Sequence, residues 1–258
     1  MTDSVTRDTY LSIVISAYNE EKRLQKSLPL ILDYVKNKDF KSEIIIVDDG
    51  SSDRTAEIAE TFLADITHAV VRKQPNAGKG AGIRSGMKIA QGQWRLMCDA
   101  DLSTPIHELD KFWNVLQDKP QTDIIIGSRA LMNSELAVRQ PFYREFMGRV
   151  FNVCVQMLVL PGIHDTQCGF KLFNAKAAET IFPMQKANDF SFDVELLLLA
   201  RKYHFEIVEY PIRWVNDSAS KVNPIFDSLK MFWALLRLRK QITGTSATIP
   251  KDKESNGE

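Results

Sequence analysis

The sequence predicts a doubly wound α/β fold, a mostly parallel sheet with helices on both faces, extended by amphipathic helices toward the C-terminus. Short, apolar, largely β-branched runs recur through the first half, helix-like stretches stand between them, and a polar cluster follows most of the runs. Runs of that composition fill a sheet covered on both faces. Strands alternating with helices imply parallel crossovers, and such sheets bind ligands beyond the carboxyl ends of their strands.

The elements follow in order. Residues 11–15, 43–47, 94–98 and 123–126 are predicted strands, rich in Ile, Leu and Val. Helices are expected over 20–36, 53–62, 80–90 and 105–116. Asp53 is a candidate N-cap for the second, and the fourth has Ser103 or Thr104 as a cap with Pro105 in its first turn. Beyond Arg129 the character changes: 142–160 is apolar with interspersed arginines, 190–203 reads as a helix, 206–214 as a strand, and Pro224 opens a last helix to about Lys240. Residues 1–10 form an N-terminal extension, 11–240 a single domain, and 241–258 a polar tail expected to be disordered.

Composition bounds the partners. A chain of 258 residues that is 44% hydrophobic can bury a substantial core. Its formal net charge of zero removes the global basic field that non-specific nucleic-acid binding relies on, so no nucleic-acid partner is expected. Cys98, Cys154 and Cys168 show neither paired spacing nor a metal-ligand pattern, which fits a reducing compartment. The N-terminus has no secretory pattern, and no window reaches the ~20 apolar residues of a membrane span. The protein is therefore expected to be cytoplasmic.

Asp99-Ala100-Asp101 is the most informative motif, because it places two carboxylates after the apolar run 94–98. Read as continuing strand, Asp99 and Asp101 share a face about 6.6 Å apart along the chain. Mg²⁺ is commonly held by one or two carboxylates, waters and substrate phosphates, so the pair points to a nucleoside diphosphate cradle. Asp48-Asp49 also ends a strand, where adjacent charges repel unless something uses them; a base or ribose hydroxyl would. The loop Pro75-Asn76-Ala77-Gly78-Lys79-Gly80-Ala81-Gly82 matches neither a Walker A motif, which needs Gly at Lys73 and Ser or Thr at Gly80, nor a dinucleotide fingerprint, which needs Gly at Ile83. What remains is flexible backbone at a helix start, with Lys79 and Arg84 able to meet an anion.

Two other patterns bear on function. His164-Asp165-Thr166-Gln167-Cys168-Gly169 lacks the second ligand pair of a closed zinc site, and no G-x-S-x-G nucleophile elbow is present. Phe226, Leu229, Phe232, Trp233 and Leu236 recur at helical spacing before Arg237, Arg239 and Lys240, while Phe142, Phe146, Val150, Cys154, Met157 and Leu158 recur beside Arg144 and Arg149. Each stripe fits either core packing or a basic interfacial helix on a lipid surface.

Taken together, Ile15-Ser16-Ala17-Tyr18-Asn19-Glu20, Val47-Asp48-Asp49-Gly50-Ser51-Ser52-Asp53, Gly78-Lys79-Gly80, Asp99-Ala100-Asp101 and Gly127-Ser128-Arg129 resemble, in order and spacing, the family 2 glycosyltransferases with a GT-A fold. Asp165-Thr166-Gln167-Cys168-Gly169-Phe170-Lys171-Leu172-Phe173 and Phe192-Asp193-Val194-Glu195-Leu196-Leu197 resemble the polyprenyl-phosphate hexosyltransferases within that family, most closely those that transfer glucose. The resemblance covers roughly residues 11–240. It makes 11–129 the nucleotide-sugar half and 130–240 the acceptor half.

Carried over residue by residue, the resemblance implies that Ala17, Tyr18, Glu20 and Asp49 hold the nucleoside, with Lys79 near it. Asp99 and Asp101 would hold Mg²⁺ or Mn²⁺ on the diphosphate, with Ala100 between them. Arg129 and Arg144 would meet the acceptor phosphate, and Lys221, after Ser220, would contact the donor diphosphate. Two departures count against a mannosyl donor: Ser103 stands where mannosyl relatives place Gln, and Val215, Asn216 and Asp217 stand where they carry an arginine. UDP-glucose is thus the first expected donor and GDP-mannose the second. The eukaryotic glucosyl enzymes carry an N-terminal membrane anchor with no counterpart here, so contact with the membrane surface is expected from the two basic helices.

The implied reaction is a single inverting displacement by an oxygen of a polyprenyl phosphate, and Asp101, Arg129 and Arg144 are the expected catalytic residues. A phosphate monoester, with a second pKa of about 6, is largely dianionic at neutral pH and needs little help from a base. Transfer to a saccharide or protein hydroxyl would need one, and Asp193 or Glu195 are the reserve candidates. A nucleotide-binding scaffold without turnover is the non-enzymatic alternative.

Overall fold

The computed structural model describes residues 8–64, 66, 69–138, 156 and 160–215. Strands β1 (Leu11–Ala17), β2 (Ser42–Asp48), β3 (Ala69–Lys73), β4 (Trp94–Met97), β5 (Ile124–Ser128), β7 (Lys171–Asn174) and β8 (Ile207–Pro211) form one sheet in the order β3-β2-β1-β4-β7-β5-β8. All its neighbours run parallel except β7, which is antiparallel to both β4 and β5. A second, two-stranded parallel sheet pairs β6 (Glu135–Val138) with β9 (Arg213–Val215). The helices are α1 (Glu21–Lys36), α2 (Thr55–Leu63), α3 (Lys79–Ile89), α4 (Leu109–Asp118), α5 (Ala175–Ile181) and α6 (Phe192–Lys202). Arg144, Lys221, the stretch 226–240 and nearly all of 142–160 lie outside the described residues.

Alternation along each strand divides the core into two layers. Val14, Ile45, Val47, Met97, Ile124, Ile126 and Phe173 face α3, α5 and α6, while Leu11, Ile13, Ile15, Ile44, Ile46, Leu96, Ile125 and Leu172 face α1, α2 and α4. A sheet buried on both sides favours apolar residues on both faces, which is why β1, β2 and β5 read as largely apolar runs.

The predicted strand over 206–214 is two strands. β8 ends at Pro211, Ile212 donates its N–H to Ser128 O at 3.2 Å, and β9 then leaves for the small sheet. Proline offers no N–H to a ladder, so the chain changes partners there. The fourth predicted helix also starts later. Pro105 precedes a short 3₁₀ turn over Ile106–Glu108, and α4 begins at Leu109. Asp53 stands one residue before the N-cap position of α2, held by Arg54, yet its Oδ1 accepts the Thr55 N–H at 3.0 Å and so does the capping work.

Candidate active site

The polar clusters meet where the chain leaves β1, β2, β4 and β5. β4 stops at Met97, and Asp99-Ala100-Asp101 lies in a turn closed by Leu102 N–H donating to Asp99 O at 3.1 Å, with Leu102 at φ 47°. Strand alternation therefore does not place the two carboxylates on one face; the turn brings them together. Asp101 Oδ1 accepts the Ser103 N–H at 2.9 Å, and Ser103 O accepts the Val215 N–H at 2.8 Å, which ties the turn to β9. Ala100 is buried at the centre.

The two carboxylates differ electrostatically. Burial alone would raise the Asp99 carboxyl, but the Lys79 ammonium bonded to it, with Lys171 and Arg129 nearby, holds it below the ordinary range. Burial and the neighbouring Asp99 charge push Asp101 up. Lys79 Nζ lies 2.6 Å from Asp99 Oδ1, both side chains being partly exposed. On another side, the Gly169 backbone approaches so closely that a Cβ there would stand 2.1 Å from Asp99 Oδ2.

These residues suit a hard divalent cation. Carboxylate oxygens are its preferred ligands, and the missing Cβ at Gly169 leaves room around Asp99. Among the described residues no group of three or more His, Cys, Asp or Glu side chains is arranged to hold a metal ion by itself. Asp99 and Asp101 would thus share the ion with substrate oxygens and water, as Mg²⁺ prefers.

The glycine loop departs from its expected role. Asp49, almost fully buried, accepts Gln74 Nε2–H at 2.7 Å, Ala77 N–H at 3.1 Å and Gly78 N–H at 2.8 Å. Its charge is met inside the protein, where it fixes the loop that carries Lys79. Asp48 Oδ1 likewise accepts the Ser51 N–H at 3.1 Å. The glycines serve close packing rather than flexibility. A Cβ at Gly82 would meet Ser16 Oγ at 2.1 Å, and one at Gly86 would meet Val14 Cγ1 at 2.4 Å. The Gly80 amide is bonded to Asn188 O at 2.8 Å, and Arg84 reaches Gln185 O at 3.2 Å, so of the expected anion contacts Lys79 alone points into the site.

The nucleoside candidates line the β1 edge. Ala17 is buried and its carbonyl accepts the Asp49 N–H at 2.9 Å; Tyr18 is 46% exposed; Glu20 pairs with Arg23 at 2.9 Å. Asn19, at φ 54°, accepts the Ser52 N–H through Oδ1 at 2.8 Å, joining this edge to the loop after β2.

Arg129, at the end of β5, is held by a partner not expected from the sequence. Asp165 takes Nε–H at 2.7 Å through Oδ2 and Nη2–H at 2.8 Å through Oδ1, while also accepting the Arg129 backbone N–H at 3.0 Å. The guanidinium lies 5.6 Å from the Trp214 ring centroid, within cation–π range. Nη1 has no partner among the described residues, so one edge of the fork can still meet an anion. Lys171 was also missed: fully buried in β7, it bonds Cys168 O at 2.5 Å and the Asp193 carboxylate. Asp193 is thus committed to an ion pair. Glu195 accepts Lys186 N–H at 3.0 Å and Ala187 N–H at 2.7 Å, so neither reserve base stands ready for a hydroxyl acceptor.

A doubly wound sheet with a carboxylate pair, a lysine and a positioned arginine at its carboxyl edge defines a nucleotide-sugar-dependent glycosyltransferase of the GT-A kind. Solved structures of that kind share the fold: glucosyl-3-phosphoglycerate synthase from Mycobacterium tuberculosis in complex with Mn²⁺, uridine-diphosphate and glucosyl-3-phosphoglycerate superposes with a TM-score of 0.64 at 14% identity, covering 93% of this chain and 82% of that one. Residues 12–182 match the model of Glycosyl transferase family 2, and the chain belongs to that family. It is similar to the dolichyl-phosphate beta-glucosyltransferase of Dictyostelium discoideum, 34% identical over 241 residues, covering 89% of this chain and 74% of the relative. The human protein of the same name is 36% identical over 255 residues, covering 94% of this chain and 78% of the relative. The protein is a glycosyltransferase.

Proposed function

We propose that the protein transfers glucose from UDP-glucose to a polyprenyl phosphate of the dolichyl type, with inversion and with a divalent cation, Mg²⁺ or Mn²⁺. The observation that carries this reading is the near-full-length likeness to dolichyl-phosphate beta-glucosyltransferases, which spans both Asp99–Asp101 and Arg129. When bound, the cation neutralises the charge that develops on the departing diphosphate. Asp99 and Asp101 would hold it there, and Lys79 would supply a further positive charge to the diphosphate. Ala17, Tyr18 and Glu20 border the nucleoside, and Asp49 keeps the loop in place behind it. Arg129, oriented by Asp165, presents its open edge to the acceptor phosphate, with Arg144 and Lys221 as further cations beyond the described residues.

The acceptor suits a site in which both reserve bases are engaged. With Asp193 and Glu195 bonded internally, a nucleophile already ionised at neutral pH suits this site better than a hydroxyl. Among the described residues no helix is long and apolar enough to cross a membrane. Contact with the lipid is proposed to be peripheral, on the cytoplasmic face, on the ground of the basic apolar stretches 142–160 and 226–240.

The test is glycolipid formation by purified protein with UDP- and GDP-sugars and a series of polyprenyl phosphates, with Mn²⁺ or Mg²⁺, beside Asp101→Ala. Extractable polyprenyl-phosphate glucose from UDP-glucose, lost in the variant, is expected. Metal-dependent donor hydrolysis without any glycolipid would sink the lipid acceptor.

A further inference from the structure

Among the described residues, Lys79 is the cation bonded directly to a candidate metal ligand, with Nζ 2.6 Å from Asp99 Oδ1. Its backbone is fixed on both sides, since Gly78 N–H donates to Asp49 Oδ2 at 2.8 Å and Gly80 N–H to Asn188 O at 2.8 Å. The loop cannot carry Lys79 away, so any movement belongs to its rotatable stem. The Phe190 ring flanks the ammonium, 5.8 Å from Nζ to the centroid.

Charge in the cluster explains why the ammonium sits there. Lys79, Lys171 and Arg129 supply three positive charges against the four carboxylates Asp99, Asp101, Asp165 and Asp193. Lys171 is committed to Asp193 and Arg129 to Asp165; both act on Asp99 at longer range, as Arg23 does on Asp101, but among the described residues Lys79 is the cation in direct contact with Asp99. A divalent ion seated about 2.1 Å from the Asp99 carboxylate would confront that ammonium across a few ångströms of partly buried space. The two cations repel. A nucleoside diphosphate brings oxygens that accept from an ammonium, giving Lys79 a second partner and the ion its remaining ligands.

We propose that Lys79 is a cation gate: it holds Asp99 in the metal-free protein, opposes a lone divalent ion, and turns onto the diphosphate when nucleotide arrives, so that ion and nucleotide are taken up as a unit. This rests on Asp99 and Asp101 being the metal ligands, as proposed above. By linkage, whatever Lys79 costs the lone ion is returned when nucleotide removes it. A lysine that merely stabilised the fold would lower stability on removal without raising affinity for the ion.

The test measures Mn²⁺ binding to the full chain by the electron paramagnetic resonance signal of free Mn²⁺, without nucleotide, in the wild type, Lys79→Gln and Lys79→Arg, each checked for a native circular dichroism melt. Lys79→Gln is expected to bind Mn²⁺ about tenfold more tightly than the wild type, within the usual range of such couplings, and to bind UDP less tightly at saturating Mn²⁺. Lys79→Arg, which keeps a cation, is expected to stay close to the wild type in Mn²⁺ affinity. Unchanged or weaker Mn²⁺ binding by Lys79→Gln, with binding retained by the wild type, would overturn the gate and leave the metal ligands standing. Absence of Mn²⁺ binding in all three forms, with and without UDP, would overturn both.

Discussion

Gly169 stands against Asp99 so closely that no other residue fits without moving the carboxylate: a Cβ would lie 2.1 Å from Oδ2 and 2.5 Å from Cγ. The segment that carries Gly169 is pinned at both ends, by Asp165 on Arg129 and by Lys171 on Asp193. The loop therefore gauges where one candidate metal ligand can sit.

Gly169→Ala should consequently displace Asp99 while leaving the fold intact. We expect a loss of about 10–100-fold in Mn²⁺ affinity and a comparable loss in kcat/KM, the scale seen when groups supporting a metal ligand are altered. Mn²⁺ titration of the variant beside its thermal melt separates this outcome from general destabilisation.

Asp165 makes stability depend on acid in a defined direction. Burial opposes its ionisation, but the Arg129 guanidinium and backbone N–H, with Lys171, hold its carboxyl below the ordinary value of about 3.9. Its contribution is therefore fully present above that value and is lost as pH falls through the lower folded value. Asp165→Asn should cost about 3 kcal/mol at pH 7, the low end for breaking a buried pair because Arg129 keeps some exposure. The gap between the variant and the wild type in urea melts should narrow below about pH 4.

Lys171 and Asp193 form a buried pair whose partners depend on each other. Lys171→Met or Asp193→Leu alone should destabilise by about 3–5 kcal/mol, since each leaves a charge without compensation. Lys171→Met with Asp193→Leu should recover much of that loss, because an apolar pair needs no desolvation. A double-mutant cycle on denaturant melts reads the coupling directly.

Gly86 tests the packing of α3 on β1. Gly86→Ala would put a methyl group 2.4 Å from Val14 Cγ1, an overpacking expected to cost about 1–3 kcal/mol. Adding Val14→Ala removes the obstructing methyl, so the double variant should be more stable than the sum of the single losses. Thermal melts of the three variants decide it.

The parts of the fold legible in the sequence are those where one physical rule acts alone. β1, β2 and β5 are buried on both faces and announce themselves as Ile-, Leu- and Val-rich runs. β7 hides because it contains Lys171, and a lysine in a central strand is compensated by Asp193, a partner 22 residues away. β3 hides for another reason: it is an edge strand with exposed Val70 and only partly buried Val71, so its run is short and mixed. Within the site, Asp99, Asp101, Lys79 and Arg129 stand together as the strand-end rule requires, but local spacing misleads about detail. Asp99 to Asp101 is a turn rather than strand, and Gly82 and Gly86 record steric contact with Ser16 and Val14, which no local pattern reveals. Asp165 could have been suspected as a carboxylate in need of a cation, yet nothing in the sequence says which arginine supplies it.

The place of β7 in the sheet has a consequence for synthesis. β5 pairs only with β7 and β8, and β4 pairs on one side with β1 and on the other with β7. While the ribosome has released only the first 129 residues, β5 has no neighbour to bond and β4 shows an open edge, the state in which strands are most prone to mispair. Closure waits for residues 171–174 to insert between them. The edge that carries Asp99 and Asp101 and the strand end that carries Arg129 are thus joined in one late event, by a contact of long sequence separation whose loop-closure cost slows folding. A chain cut short before that strand would carry every residue of the Asp99–Asp101 turn and still lack the surface that holds it.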